Sequence, residues 1–297
     1  MKLIDFGSKE KKEIAEVFRA IPMFEVQLAT MVENYIYGFV ENVDEVNGTI
    51  ELYVTRYGKK HGDYKRIYKN GTLACTATYI NGKLTGTICF YDKNGVCFQK
   101  TTYHKGCLHG LSTEYYPDGK LLSCKMFEND QLSGFSSTYY KTGMLCNICF
   151  YVNGKRNGKY CVFQNTGEIL QECNFVDDEL EGESIQYYNT TEDKNQQIFQ
   201  KYTYKQGKLT GLGITYFVNG NIESQTVYHD GLKHGPFVSF YFSGQSHVIT
   251  SYKNGMYNGC YKEYDIDGNI VKECTYNEGL IESGYQIEVD GTVSFLS

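Results

Sequence analysis

The sequence predicts an all-β protein: an elongated single-layer antiparallel β-meander solenoid of about ten 24-residue hairpin repeats, with a short N-terminal helical cap. Three observations predict this fold. Glycines recur every 24 residues, aromatic residues follow the same period, and Asn-Gly or Asp-Gly pairs separate short strand-like segments. A fixed period constrains architecture more strongly than local propensity does, because each repeat must pack against its neighbours in the same way.

The glycines set the period and the strand count. One glycine series runs at intervals of 24 residues, jumps once by 29 and then resumes, at Gly62, Gly86, Gly110, Gly134, Gly158, Gly182, Gly211, Gly235 and Gly259. The jump marks an insertion of five residues within the polar segment 189–197. About 20 strands at a spacing of roughly 4.8 Å predict a sheet on the order of 90 to 100 Å long.

The turn residues predict that each repeat is a β-hairpin. Pairs such as Asn81-Gly82 and Asn94-Gly95 recur between the strand-like segments. Asparagine, aspartate and glycine tolerate the positive φ that tight hairpin turns require. We therefore expect two strands per repeat, with the strand after Asn81-Gly82 beginning near Gly86 and ending at Tyr91.

Three side-chain registers are expected to form one packed face. The first carries rings at Tyr79, Tyr103, Phe127, Tyr151, Phe175, Tyr204, Tyr228, Tyr252 and Tyr276. The second carries Ile67 and then rings at Tyr91, Tyr115, Tyr139, Phe163, Tyr187, Tyr216, Phe240 and Tyr264. The third is mostly aliphatic, with Leu73, Leu121, Leu145, Ile169, Ile198, Ile222 and Ile270.

A further row of rings directly follows the second register and is the candidate binding surface. Adjacent residues of a strand face opposite sides, so these rings are predicted to point outward. We call them the aromatic stripe: Tyr68, Tyr116, Tyr140, Tyr188, Phe217 and Tyr241. Exposed rings with polar neighbours are common anchors at protein interfaces. The alternative is that they only stack between strands and stiffen the sheet.

The N-terminal residues 1–33 are predicted to form the helical cap, ahead of a repeat array over 34–297. Ser8 can cap a helix whose apolar residues Ile14, Val17, Phe18 and Ile21 lie on one side, and Pro22 ends it. Covering the first edge strand would prevent unwanted pairing. The alternative is that this helix docks a partner.

Composition and charge exclude several classes of function. The net charge of −6 gives no basic face for a nucleic-acid backbone, and no apolar stretch is long enough to span a membrane. The 11 cysteines are an odd number in a chain with no signal-like start, which predicts reduced thiols and a cytoplasmic location.

No constellation of residues predicts catalysis, a cofactor or a metal site. His61, His109 and His234 share one position of the repeat, which favours a role in the turns. Cys146 and Cys149 have the spacing of a zinc or redox motif, but residues three apart in a strand point to opposite faces. We therefore expect a protein that is not an enzyme.

The units Tyr79-Ile-Asn-Gly-Lys-Leu-Thr-Gly86 and Tyr228-His-Asp-Gly-Leu-Lys-His-Gly235 resemble MORN repeats. They are most similar to the variant found in bacterial antitoxin-type proteins, which is also common in protists and in the large DNA viruses of amoebae. The resemblance covers residues 34 to 297 and implies a rod-like sheet of hairpins used for protein interaction, scaffolding or dimerisation. Phospholipid binding is attached to the family as well, but this chain has no Trp and is negatively charged.

The function expected from the sequence is a non-enzymatic scaffold for protein–protein interaction. Its partner would be a protein of unidentified nature or a second copy of the chain, with no nucleic acid and no membrane lipid. Two alternatives remain open: an antitoxin-like inhibitor of a protein partner, and a structural component of a large virus particle, which would place the chain in a host cell or virion.

Overall fold

The computed structural model describes residues 37–44, 46, 48–189, 196–288 and 291–296. The predicted helical cap over 1–33 and most of the 189–197 insertion lie outside the described residues. The described part is all-β, with 24 strands and antiparallel pairing between chain neighbours. The chain divides into two compact units, residues 1–119 and 120–297.

The first unit is a meander in which each strand pairs with the next. Its strands are β1 (Tyr37–Asp44), β2 (Thr49–Arg56), β3 (Lys59–Tyr68), β4 (Leu73–Ile80), β5 (Lys83–Tyr91), β6 (Cys97–His104) and β7 (Cys107–Tyr115).

The second unit continues the same pattern. Its first strands are β8 (Leu121–Glu128), β9 (Gln131–Tyr139), β10 (Leu145–Val152), β11 (Lys155–Phe163), β12 (Ile169–Val176), β13 (Glu179–Leu180), β14 (Gly182–Tyr187) and β15 (Ile198–Lys205). The remaining strands are β16 (Lys208–Tyr216), β17 (Ile222–His229), β18 (Leu232–Phe240), β19 (Ser246–Lys253), β20 (Met256–Tyr257), β21 (Gly259–Tyr264), β22 (Ile270–Asn277), β23 (Leu280–Ile287) and β24 (Val293–Leu296).

The two kinds of Asn-Gly pair adopt different conformations. At Asn81-Gly82, both residues have positive φ, 51° and 82°, as the two-residue type I′ hairpin turn requires. At the other end of the hairpin only Gly95 has positive φ, 85°, and its N–H donates to the carbonyl of Asp92 at 3.0 Å. The predicted hairpins are confirmed, with tight turns at one end of the strands and longer loops at the other.

Gly86 lies inside a strand, and this corrects the predicted strand start. Strand β5 begins three residues earlier, at Lys83, and its register against β4 shifts at Gly86, where φ is +76°. Only glycine adopts this conformation without a steric cost, which explains the 24-residue ladder. We call this series the bulge glycines; at Gly182 and Gly259 the irregularity divides the strand into β13 and β14, and into β20 and β21.

The first and second ring registers lie on opposite faces of the sheet, so the expectation of one packed face is wrong. Phe90 packs in the same cluster as Tyr79. The next residue, Tyr91, therefore points to the other face, where its hydroxyl is near Thr76 and Cys89. The aliphatic register accompanies the second register, since Leu73 pairs with Ile67 and Leu145 with Tyr139.

The core of each unit is a thin layer built on small buried side chains. In the first unit, Tyr64, Cys75, Ala77 and Ile88 form the buried cluster. In the second unit the most buried side chains on the face of the first ring register include Cys149, Cys173, Thr226, Thr250 and Cys274. Small residues let the neighbouring rings close over them, which is how a single layer of strands excludes water.

Candidate interaction surfaces

The aromatic stripe lies where strands pass into the longer loops. Tyr68 is the last residue of β3, and the other five members follow directly after the ends of β7, β9, β14, β16 and β18. All six rings are half-buried. The predicted outward row is therefore only partly exposed, because the rings pack against the neighbouring repeat.

The hydroxyl groups of the stripe connect one repeat to the next. The Tyr68 Oη donates to the carbonyl of Tyr91 at 2.9 Å, and the Tyr140 Oη donates to that of Phe163 at 2.8 Å. Tyr188 and Tyr241 make the same bond, at 2.6 and 2.8 Å, to the last residue of the corresponding strand in the next repeat. The acceptor is each time a member of the second ring register, so the loops are held at a constant spacing.

Two positions show how the connection varies. Gln164 takes the place of a stripe tyrosine, and its Nε2 donates to the carbonyl of Tyr188 at 3.3 Å. Phe217 has no hydroxyl, and its ring instead packs edge-on against Phe242, with centroids 5.4 Å apart. The stripe is thus built into the sheet, and its role in binding remains a prediction.

The face that carries the first ring register also carries cations held over aromatic rings. The Nζ of Lys60 lies 4.3, 4.5 and 5.4 Å from the ring centroids of Tyr53, Tyr64 and Tyr79. The Glu51 carboxylate lies 3.8 Å from the same nitrogen and accepts the Tyr64 hydroxyl at 2.7 Å. Such an arrangement satisfies a cation that would otherwise lose hydration on the sheet.

Two other repeats place a cation in the same way. The Arg156 guanidinium lies 3.9 Å from the Phe175 centroid and pairs with Asp178 at 2.9 Å. The Nζ of Lys233 lies 4.9 Å from the centroids of both Phe237 and Tyr252. All three cations stand two residues before a bulge glycine.

The residues two before and two after each bulge glycine vary together. Where the second of these is aromatic, the first is a cation or a tyrosine, in the pairs Lys60 and Tyr64, Arg156 and Tyr160, Lys233 and Phe237, and Tyr257 and Tyr261. Otherwise the first is leucine, in the pairs Leu84 and Ile88, Leu108 and Ser112, Leu132 and Ser136, Leu180 and Ser184, and Leu209 and Gly213.

The aromatic member of each pair packs on the next ring of the first register. Tyr64 meets Tyr79 at 5.7 Å and 66°, and Phe237 meets Tyr252 at 5.7 Å and 84°. These edge-to-face pairs suit the ring quadrupole. Sequence reasoning missed this additional set of rings because it occurs in only some repeats. The cation two residues before the bulge glycine was a visible signal.

Burial on this face suppresses ionisation of its tyrosines and cysteines. Desolvation raises the pKa of Tyr228 to about 12 and that of the Cys173 thiol to about 11. It also raises the pKa of Tyr64, where the hydrogen bond to Glu51 adds to the effect. These groups are neutral at physiological pH, so they pack as apolar surface and are poor nucleophiles.

Histidines meet in pairs that the sequence did not reveal. The rings of His104 and His109 lie 5.8 Å apart, and those of His229 and His234 lie 5.9 Å apart. Cys146 and Cys149 do not meet: Cys146 lies beside the Tyr140 hydroxyl, whereas Cys149 lies beside Tyr151. Within the residues that the structure describes, no group of three or more potential ligands could hold a metal ion.

Comparison with known families identifies the repeat. The family described as MORN repeat variant matches residues 60–81, 108–129, 233–254 and 257–278. Each match begins two residues before a bulge glycine and ends at the first residue of the following tight turn. The matched segments are MORN-type repeats, and such repeats are generally associated with scaffolds that interact with proteins or membranes.

Other comparisons add little. No curated protein matches the chain. Among solved structures, it is similar to TarM of S. aureus, at 13% identity over 49% of this chain and 26% of that one, with a TM-score of 0.21. It is also similar to the Tc holotoxin pore of Photorhabdus luminescens, at 12% identity over 84% of this chain and 15% of that one, with a TM-score of 0.21. The chain thus spans about a quarter or less of these proteins, and scores this low carry no argument.

In the described part of the chain, no helix has the length and apolar character needed to cross a bilayer.

Proposed function

We propose that this protein is a non-enzymatic scaffold that binds another protein along the loop edge of its repeat array. The observation that carries the proposal is the series of interrepeat bonds from Tyr68, Tyr140, Tyr188 and Tyr241, each to a backbone carbonyl of the next repeat. Within each unit they hold successive loops in one register, so side chains at equivalent positions present a surface that is ordered before a partner arrives. Preorganisation reduces the entropy cost of binding.

The proposal includes the aromatic stripe as part of this surface. The stripe rings are half-buried, so each offers a rim rather than a whole face to a partner. Rings of this kind lose little freedom on binding and commonly supply the central contacts of an interface. A second copy of the chain is one candidate partner. The 11 free thiols fit a scaffold that works in the reducing cytoplasm.

The test is partner capture by the full chain and by a stripe variant. Tyr140→Ser combined with Tyr188→Ser removes two stripe rings, whereas Lys141→Ser combined with Asn189→Ser changes exposed neighbours in the same loops. Circular dichroism must first show that both variants fold. We expect the same cross-linked protein, identified by mass spectrometry, with wild type and control and its loss in the stripe variant. Equal capture by the stripe variant would contradict the role of the stripe.

A further inference from the structure

Three successive loops of the second unit expose an apolar side chain at the same position of the repeat. Val218, Phe242 and Ile266 each follow the stripe position directly, and they are 48%, 55% and 52% exposed. Other repeats carry mostly lysine or asparagine there, at Lys69, Lys93, Pro117, Lys141, Asn165 and Asn189. The apolar character is therefore local, and we call Val218, Phe242 and Ile266 the loop strip.

The backbone beneath the loop strip is held in place by side chains of adjacent loops. The Nδ2 atoms of Asn219 and Asn221 both donate to the carbonyl of Phe242, at 3.2 and 3.1 Å. The Phe217 ring supports the Phe242 ring, and the Tyr241 hydroxyl ties its loop to the end of β21. The strip is thus presented on ordered loops, so little conformational entropy is lost when it is covered.

The third loop orders itself and adds negative charge. The Asp265 carboxylate accepts the backbone N–H groups of Asp267 and Asn269, at 3.0 and 2.7 Å. Asp267 is exposed beside Ile266. The other two loops, 217–222 and 241–246, contain no charged residue. A complementary ligand is therefore uncharged over most of its length and basic at the end that meets Asp267.

The spacing of the loop strip selects the conformation of the ligand. Equivalent loops are separated by two strands, or roughly 9.6 Å. A polyproline II helix places every third residue on one side at intervals of about 9.3 Å. An α-helix repeats its face every seven residues, about 10.5 Å, and an extended strand every two residues, about 6.8 Å. The polyproline II helix matches best, and it is also ordered before binding.

We propose that the loop strip docks a proline-rich segment of another protein in the polyproline II conformation. An apolar residue at every third position would contact Val218, Phe242 and Ile266 in turn, and a Lys or Arg beyond the last would meet Asp267. Three contacts need a segment of about seven residues. This inference rests on the proposed scaffold function and specifies one partner class for its loop edge.

The experiment measures fluorescence anisotropy of labelled peptides with the full chain. The probe is three Pro-Pro-Leu triplets followed by Arg. One control peptide has the same composition with its three leucines consecutive, and another is a helical peptide with leucine every seven residues. The strip variant combines Val218→Ser with Ile266→Ser. Its matched control combines Val176→Ser with Leu232→Ser, residues that are 49% and 51% exposed at the tight-turn edge of the same unit.

We expect wild type and the matched control to bind the periodic probe about tenfold or more tightly than the peptide with consecutive leucines. The strip variant should lose about tenfold in affinity for the probe. Asp267→Asn should weaken binding of the probe and leave binding of a version without Arg unchanged. Four outcomes would overturn the proposal: equal binding of both proline peptides, tighter binding of the helical peptide, unchanged binding by the strip variant, or no binding at all. The scaffold function is tested separately by partner capture, so it can stand if the peptides fail.

Discussion

At the scale of single residues, the stripe tyrosines have a structural task that their ring alone does not perform. The hydroxyl of Tyr140 reaches the carbonyl of Phe163 in the next repeat, and that of Tyr188 reaches the carbonyl of Tyr216. A neutral hydrogen bond of this kind contributes about 1 kcal/mol net. The presence of Phe217 in the same series shows that one missing hydroxyl is tolerated.

Tyr140→Phe and Tyr188→Phe are each expected to lower the free energy of unfolding by about 1 kcal/mol, since the ring stays and only the hydrogen bond is lost. Urea denaturation monitored by circular dichroism measures the change. Tyr57→Phe serves as the control, because the Tyr57 side chain is 60% exposed. Unchanged denaturation midpoints for both stripe variants would show that the bonds are exchanged for water at no cost.

The thiols differ in reactivity because the sheet buries them unequally. Cys260 is exposed, whereas Cys173 is buried and has its pKa raised to about 11 by desolvation. A raised pKa means that less thiolate is present at a given pH. At pH 8, iodoacetamide should therefore modify Cys260 first and Cys173 only after unfolding, as read by peptide mass spectrometry. Modification of Cys173 at the rate of Cys260 in folded protein would contradict the buried placement.

At the scale of the element, the two residues that flank each bulge glycine follow a local packing rule. Lys233 lies over Phe237 and Tyr252, while the repeat of Leu209 places Gly213 opposite the Tyr202 ring, where a Cβ would come within 2.6 Å of Tyr202. Both solutions fill the same space on one face, either by rings under a cation or by a leucine beside a small residue. Mixed combinations leave a gap or crowd the neighbouring ring.

A double-mutant cycle tests this rule in the repeat of Gly235. Lys233→Leu alone should destabilise the protein by about 1 kcal/mol through the lost cation–π contacts. Phe237→Ser alone should cost more, because a half-buried ring is removed. Together they recreate the leucine–serine combination of Leu108 and Ser112, so the cycle should show a favourable coupling of about 0.5 kcal/mol or more. Lys208→Leu is the control, because Lys208 is exposed at the start of β16. Additive effects in the cycle would contradict the rule.

The sequence predicted the hairpins, their turns and the first ring register correctly, because glycine and Asn-Gly pairs act locally and repeat many times. It failed where side-chain direction had to be counted through an irregularity. Beside the longer loop the pairing shifts by one residue, from Arg66–Cys75 to Ile67–Leu73, so alternation counted back from Tyr79 gives the wrong face for Leu73. The burial of the stripe also could not be predicted, since it depends on a carbonyl of the next repeat. The surface proposed for binding at Phe242 needed the structure, because exposure at a loop corner has no sequence signal.

At the scale of the whole molecule, half-buried tyrosines couple stability to alkaline pH. Desolvation raises the pKa of Tyr228 and of Tyr276 from 10.0 to about 12. Because the folded pKa exceeds the unfolded one, this stabilisation is complete below pH 10 and is lost as the pH rises toward 12. Absorbance at 295 nm should show exposed tyrosines ionising near pH 10, followed by a second step together with loss of circular dichroism.

Tyr228→Phe should move that second step to higher pH, because the variant has one fewer buried group to ionise. Tyr57→Phe is the control, since Tyr57 is 60% exposed and its substitution should leave the second step at the same pH. One smooth titration near pH 10 with the circular dichroism retained would contradict the assignment of these rings to the packed face.

The period also predicts which deletions the chain tolerates. Removing residues 83–106 deletes β5 and β6, a whole repeat, and joins Gly82 to Cys107, which occupies the same repeat position as Lys83. Strand β7 would then take the place of β5 beside β4, with Leu108 replacing Leu84 and the small Ser112 replacing Ile88. Turn type, bulge position and side-chain faces all stay in register, so folding should survive with stability reduced by about one repeat interface.

Removing half a repeat should have the opposite result. Deleting residues 83–94 takes out β5 alone and places β6, which has no bulge glycine, directly after β4. Val96 would then take the place of Leu84 opposite Tyr79, so Thr101 and Tyr103 of β6 would point to the face opposite to their own, and the following strands would meet neighbours with the wrong faces. Thermal melts by circular dichroism, with tyrosine fluorescence as a second probe, should show a cooperative transition for the 24-residue deletion and loss of cooperativity for the 12-residue deletion. If the shorter deletion melts as cooperatively as the longer one, the faces of the strands do not depend on the 24-residue period.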